Sequence, residues 1–191
     1  MLSALLDACV LFPMYLRDTL LSTAEAGLYV PYWSQKILDE AMSNLVLRGK
    51  ISVEKAKNLE EIIKAAFPEA MVEIPLDIEK AMTNHPKDRH VLAAAVMAKA
   101  DIIVTSNITD FNAEALTPWN IKAQLPDDFL CNLFENYPEE MVQVLRQQAQ
   151  KYRRRPLNFA ELLTFLSKTD GANLLKLVGK IRSYESHNGV V

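Results

Sequence analysis

The chain has 191 residues, half of them hydrophobic and 24% charged, with a formal net charge of −3. This is the composition of a globular protein with room for one full core and a smaller appendage, and it excludes an overall basic field that would attract nucleic acid. No apolar run approaches the ~18 to 20 residues of a membrane span. Cys9 and Cys131 lie far apart without CxxC spacing, which fits a reduced, cytoplasmic compartment. The apolar start, MLSALLDACVLFP, lacks a basic leader and is broken by Asp7, so it reads as part of the fold and not as a signal peptide.

Short apolar segments then alternate with longer helical patterns. Residues 4–6 (ALL) predict a strand that Asp7 closes, followed by a helix over 15–27 with Gly27 past its end. A strand is predicted over 28–30 (LYV), and Ser34 is placed to cap a helix over 34–49 that stops at Gly49. Ser52 caps the next, over 52–67. Residues 71–74 (MVEI) read as a strand, residues 86–100 as a helix opened by Pro86, and residues 102–105 (IIVT) and 121–124 (IKAQ) as further strands. Strands alternating with helices predict a parallel sheet covered on both faces, an α/β domain.

From about Asp127 the strand signals stop. Residues 138–155 begin with Pro138 and end in KYRRR, which suits the helix dipole. Residues 157–168 carry a capping-box spacing in Asn158 and Glu161, with Leu157 and Leu162 available as a hydrophobic staple. Residues 171–182 continue in the same style, and 183–191 are expected to fray. The expected organisation is an α/β domain over 1–130 and a small all-α extension over 131–191.

In open parallel sheets, function collects beyond the carboxyl ends of the strands. Asp7 follows the first strand, and Asn107 and Asp110 follow IIVT, so both groups fall at one edge if those strands are neighbours. Asp7 alone reads equally well as a helix N-cap. Asp88 is more telling: at 100° per residue Val91, Leu92 and Ala95 lie within about 60° of it, on the stripe that faces the sheet. A first-turn acid also complements the helix dipole, but a buried carboxylate must be paired or must bind a cation. Like charges gather in a dry cleft only around a compensating cation. Glu40 falls off the stripe of Ile37, Leu38, Ala41 and Leu45 and reads as solvated surface.

Other chemistries lack their residues. None of the five glycines forms a phosphate loop, and no HExxH or Cys/His cluster suggests zinc. His85 and His90, five positions apart on or near one helix, diverge, which argues against a two-histidine ribonuclease mechanism. Cys9 has no histidine partner and is expected in the core. KYRRR could contact phosphate, although such a cluster also reads as a solvated helix end.

Four segments together resemble the PIN domain, the nuclease fold of the VapC-type toxins of prokaryotic toxin–antitoxin pairs. They are LLDACVL with Asp7, WSQKILDEAMSNL with Glu40, KDRHVLAAAV with Asp88, and VTSNITDF with Thr105, Asn107, Asp110 and Phe111. Each is unspecific alone, but their order and spacing over roughly residues 2–130 follow the family. The resemblance implies a PIN-like parallel sheet flanked by helices and Mg²⁺- or Mn²⁺-dependent hydrolysis of RNA phosphodiester bonds. Asp7, Glu40, Asp88 and Asp110 would be the catalytic acids, with Asp7, Asp88 and Asp110 as metal ligands. Thr105, Asn107 and Arg89 would support the site or the substrate. Asn107 stands where many members have an acid, so either Asp110 supplies the fourth carboxylate, the favoured reading with Asn107 positioning a water or metal, or the site works with three acids and an amide. Arg17, Lys36, Arg89 and KYRRR are the candidate RNA contacts. The expected partners are RNA, a cognate antitoxin that inserts a segment across the acidic cleft, and a second copy in a homodimer, with no membrane. A PIN nuclease of RNA maturation and a non-catalytic PIN-like scaffold are the alternative readings.

Overall fold

The computed structural model describes residues 1–156, 158–168 and 172–187. β1 (Ser3–Leu6) leads into α1 (Ala8–Leu11) and α2 (Met14–Glu25), and β2 (Val30–Ser34) into α3 (Gln35–Leu47) and α4 (Val53–Ala66). There follow β3 (Met71–Val72), α5 (Leu76–Ala81), α6 (Arg89–Ala98), β4 (Ile102–Val104), α7 (Ala113–Leu116) and β5 (Lys122–Gln124). The helices α8 (Pro126–Asn136), α9 (Pro138–Lys151), α10 (Phe159–Lys168) and α11 (Leu175–His187) complete the described chain. Short 3₁₀ turns at Pro86–Asp88 and Ile108–Asp110 matter for the site. Grouped by contact, Met1–Phe12 and Val30–Gln124 form one compact unit, while Pro13–Tyr29 and the chain from Leu125 onward form a second. Residues 13–29, read from sequence as part of the α/β domain, therefore group with the C-terminal helices.

The first unit is a five-stranded sheet in the order β3-β2-β1-β4-β5, with every pair parallel. Leu5 at its centre pairs with Tyr32 on one side and Ile103 on the other. Ala4, Leu5, Leu6, Ile103 and Val104 are fully buried, the continuous apolar run expected of a parallel sheet covered on both faces. One cover is α6, whose Val91–Ala95 run is buried and which packs on β1, β2 and β4. Its alanines let the helix backbone approach closely. The caps read from sequence form: Ser34 accepts from the amide of Ile37 at 3.4 Å and Ser52 from that of Lys55 at 3.3 Å. Gly49 closes α3 at φ +64°, where a side chain is strained.

The second strand differs from expectation. It runs over Val30–Ser34, not 28–30, and sends Trp33 into the core. Leu28 and Tyr29 belong instead to the second unit, where the Tyr29 ring meets Phe129 edge-on at 4.9 Å. The helices α1, α5 and α7, of four to six residues, are too short to display a 3.6-residue period.

In the second unit α2 packs on α9 and α10, and α8 packs on α9 and α11. Leu16, Leu20, Leu130, Leu145, Leu162, Leu166, Leu177 and Ile181 are buried. A polar seam joins α2 to α9: the Thr19 hydroxyl donates to Gln148 Oε1 at 3.0 Å, and the Tyr152 hydroxyl to Asp18 at 2.8 Å. Buried polar groups are thereby satisfied across the interface of these helices. Arg17 lies in this interior beside Asp18 at 3.7 Å and is only 5% exposed, so it is not the surface contact for RNA expected from sequence. Asn158 caps α10 by accepting from the amide of Glu161 at 2.9 Å, and Leu157, its expected staple, lies outside the described residues. Residues 183–187, expected to fray, continue α11 to His187; residues 188–191 lie outside the description.

Candidate active site

The strands β1 and β4 are parallel neighbours, so their carboxyl ends reach the same edge of the sheet. Asp7 begins there, its amide donating to the carbonyl of Val104 at 3.1 Å. It stands at the N-cap of α1, but its side chain makes no capping bond. Instead Oδ2 accepts the hydroxyl of Thr105 at 2.6 Å and the thiol of Cys9 at 3.2 Å. Both Asp7 and Thr105 are buried. Thr105 Oγ1 also accepts from the amide of Asn107 at 3.0 Å, and Cys9 Sγ from that of Ser106 at 3.2 Å. The loop after β4 is thus wound onto the groups that hold Asp7. Cys9, expected in the core, is a half-buried neighbour of the acid. Burial, and then the charge of Asp7, push its thiol up to about 12, so it is a hydrogen-bond donor and not a nucleophile at neutral pH.

The 3₁₀ turn Pro86–Asp88 sets Asp88 at the head of α6, again without a capping side-chain bond. His85, Asp88 and Asp110 each offer a ligand atom, and these atoms lie within 4.8 Å of one another. His85 Nδ1 is 3.5 Å from Asp88 Oδ2. Main-chain bonds fix the arrangement: the amide of Asp88 donates to the carbonyl of His85 at 2.9 Å, and the amide of His85 to the carbonyl of Asp110 at 3.2 Å. The Asp88 carboxyl is raised above the ordinary carboxylate range, first by burial and then by the charges of Asp7 and Asp110, with His90 and His85 pulling the other way. Three acids from distant parts of the sequence therefore meet electrostatically at Asp88. The oxygens of Asp88 and Asp110, with the His85 imidazole beside them, fit a divalent cation that would cancel the repulsion, while Asp7 acts on Asp88 by its charge and is not a member of that close set.

Glu40 faces the same helix from α3. Its Oε2 lies 3.4 Å from Nε2 of His90, which is 1% exposed. The contact is at ion-pair distance but lacks hydrogen-bond geometry, for neither ring nitrogen of His90 makes a hydrogen bond. Glu40 is accordingly more than plain surface, though its side chain is 43% exposed. It is not a member of the close cluster of His85, Asp88 and Asp110.

Residues 3–109 match the PIN domain family. The chain belongs to that family. Residues 126–182 of this PIN protein match a second family, the VapC50 C-terminal domain. A curated relative, "Putative ribonuclease VapC50" of Mycobacterium tuberculosis (strain ATCC 25618 / H37Rv), is 44% identical over 92 residues, covering 48% of this chain and 54% of the relative. The chain therefore spans about half the length of the curated relative it matches. No solved structure gives a significant match. No helix among the described residues is long and apolar enough to cross a membrane.

The remaining site candidates of the PIN domain lie outside the close set of His85, Asp88 and Asp110. Asn107 is exposed, and its amide, not its side chain, is engaged at Thr105. Arg89 directs Nε to the carbonyl of Asn84 at 3.5 Å, bracing the loop that carries His85. Lys36 pairs with Glu79 at 3.1 Å. In the second unit Lys151 pairs with Glu25 at 3.6 Å and Arg155 with Glu161 at 3.9 Å, while Arg153 and Arg154 are exposed. Sequence reasoning missed His85 as a neighbour of the acids. The available signal was the spacing H-P-x-D, because a 3₁₀ turn eclipses positions i and i+3.

Proposed function

We propose that this chain is a divalent-metal-dependent endoribonuclease and acts in the cytoplasm as the toxin of a VapBC-type pair, held inactive by a cognate antitoxin. The observation that carries this reading is the close set of His85, Asp88 and Asp110 beside the carboxyl edge of β1 and β4, where burial and then the charges of Asp7 and Asp110 raise the Asp88 carboxyl. The name of the mycobacterial relative supports RNA as substrate, and the match to the VapC50 C-terminal domain supports the toxin class. Asp7, Asp88 and Asp110 would hold Mg²⁺ or Mn²⁺. When bound, the cation supplies charge compensation for the phosphodiester and makes water more acidic. Thr105 and Cys9 hold Asp7 through Oδ2, leaving Oδ1 as the oxygen for a cation. Glu40, exposed and steered by His90, takes a proton as general base. Asn107 offers an amide at the rim to orient a phosphate oxygen or a water. A basic side chain of the antitoxin, laid among these carboxylates, would satisfy them and compete with the cation.

The test has two arms. The purified chain should cleave single-stranded RNA with Mn²⁺ or Mg²⁺ and lose that activity in EDTA. Its expression should arrest growth, with relief by Asp7→Asn or by co-expression of a cognate antitoxin. A folded chain inert towards RNA with both ions and harmless at high expression would overturn the reading.

A further inference from the structure

His85 is the one member of the close cluster that is not an acid, and its placement is built by the main chain. The amide of Asp88 closes the 3₁₀ turn on the carbonyl of His85 at 2.9 Å. In such a turn residues three apart eclipse, which stacks the imidazole beside the carboxylate, Nδ1 at 3.5 Å from Oδ2. The amide of His85 then grips the carbonyl of Asp110, whose own amide closes its turn on the carbonyl of Asn107 at 3.0 Å. The donors of His85, Asp88 and Asp110 therefore come from two turns locked to each other, not from long arms meeting by chance. They lie within 4.8 Å of one another. Ligands about 2.1 Å from a common ion lie about 3 Å apart when adjacent and about 4.2 Å apart when opposite, so the atoms must draw together by at most about 2 Å, a movement within side-chain rotation.

We infer that His85 is itself a ligand of the cation, through Nδ1, and that it tunes the site towards Mn²⁺ and away from Mg²⁺. The inference rests on the metal-dependent nuclease reading. Mg²⁺ dehydrates reluctantly and is usually held by one or two carboxylates with its waters. An imidazole nitrogen favours the first-row transition ions. An imidazole added to the carboxylates thus discriminates where a purely acidic cup would not. The competing role for His85 is a counter-ion that neutralises Asp88 when no metal is bound. The two roles predict opposite signs: removing a ligand weakens metal binding, whereas removing a competing cation strengthens it.

The experiment titrates the full chain with Mn²⁺, followed by the electron paramagnetic resonance of the free ion, and with Mg²⁺ by competition. Folding of each variant is checked by circular dichroism. Wild type should bind Mn²⁺ more tightly than Mg²⁺ and show spin-echo modulation from a directly bound nitrogen. His85→Ala should lose that modulation and weaken Mn²⁺ binding roughly tenfold or more, with a smaller effect on Mg²⁺. His85→Asp should regain Mg²⁺ binding and lose the preference. Unchanged or tighter Mn²⁺ binding by His85→Ala, or persistent nitrogen modulation, overturns the assignment. Asp88→Asn separates the two levels. If it abolishes Mn²⁺ binding while His85→Ala does not, only the His85 assignment fails. If Asp88→Asn binds Mn²⁺ as wild type does, or wild type binds neither ion, the nuclease reading falls with it.

Discussion

Asp7 and Asp88 both stand at the head of a helix, cap nothing, and belong to the same acidic edge, but they are held in different ways. Asp7 is 4% exposed and accepts a hydroxyl and a thiol, both anchored by the amides of the β4 loop. Asp88, 17% exposed at its side chain, faces two other carboxylates and two imidazoles across short turns. The first half of the site is therefore satisfied before any ligand arrives, while the second is under repulsion until a cation comes. Fixing one acid and frustrating its neighbours gives an edge that is organised for a metal yet does not collapse without one.

The contrast breaks most severely in catalysis. Asp7→Asn and Asp88→Asn should each lower the single-turnover rate of RNA cleavage by roughly 10²–10³-fold or more, because each removes charge that must hold the cation. Full activity in either variant would remove that acid from the site. Next in size is Thr105→Val, which keeps the shape but leaves Asp7 and the amide of Asn107 without their partner. It should cost about 1–3 kcal/mol in denaturant unfolding and about tenfold in cleavage, with Thr105→Ser recovering most of both.

Asp88 should behave in the opposite sense in stability. Its folded-state carboxyl titrates above the ordinary range, so the folded chain holds that proton more tightly than the unfolded chain. The associated stability is fully present below the ordinary carboxylate range and is lost as pH rises through the folded value. Without divalent ions, Asp88→Asn should therefore melt a few degrees above wild type near pH 7, and the gain should vanish below about pH 4. Saturating Mn²⁺ should reverse the order, because only wild type is then stabilised by ligand. A melting temperature that falls in Asp88→Asn without metal would make Asp88 a structural acid. The smallest effect belongs to Cys9. Burial and Asp7 hold its thiol near 12, and burial holds Cys131 near 11, so neither should react readily with iodoacetamide at pH 7.5 until the chain is unfolded. Cys9→Ala should change cleavage by less than about threefold.

The features that were legible in sequence follow rules with a strong local signal. Leu5 and Ile103 lie in apolar runs bounded by polar residues, which name strands, and the rule that sites gather at strand ends then collects Asp7 and Asp110. Asp88 betrayed itself by lying on an apolar helical stripe. The misread strand has a particular cause: Pro31 sits inside β2, and a proline normally argues against a strand because it cannot donate to the ladder. His85 was hidden because a single 3₁₀ turn has no period to read. Glu40 was read as surface because periodicity reports which way a side chain leaves its own helix, not that a buried imidazole waits on another. The grouping of residues 13–29 with the C-terminal helices depends on packing between segments almost a hundred residues apart, which no local pattern encodes.

That grouping has a consequence for the order in which the protein is made. The helix α2, with Leu16 and Leu20 fully buried in the finished chain, packs on α9 and α10. At ~5–20 residues per second, the ribosome needs roughly 5–20 s to travel from Tyr29 to the first residues of the second unit's C-terminal part. Throughout that interval the nascent chain carries a helix whose partners have not been synthesised. The C-terminal segment is for this reason not an appendage that can be trimmed away. A chain cut after Gln124 retains α2 with its apolar face uncovered, a surface suited to chaperone capture or aggregation.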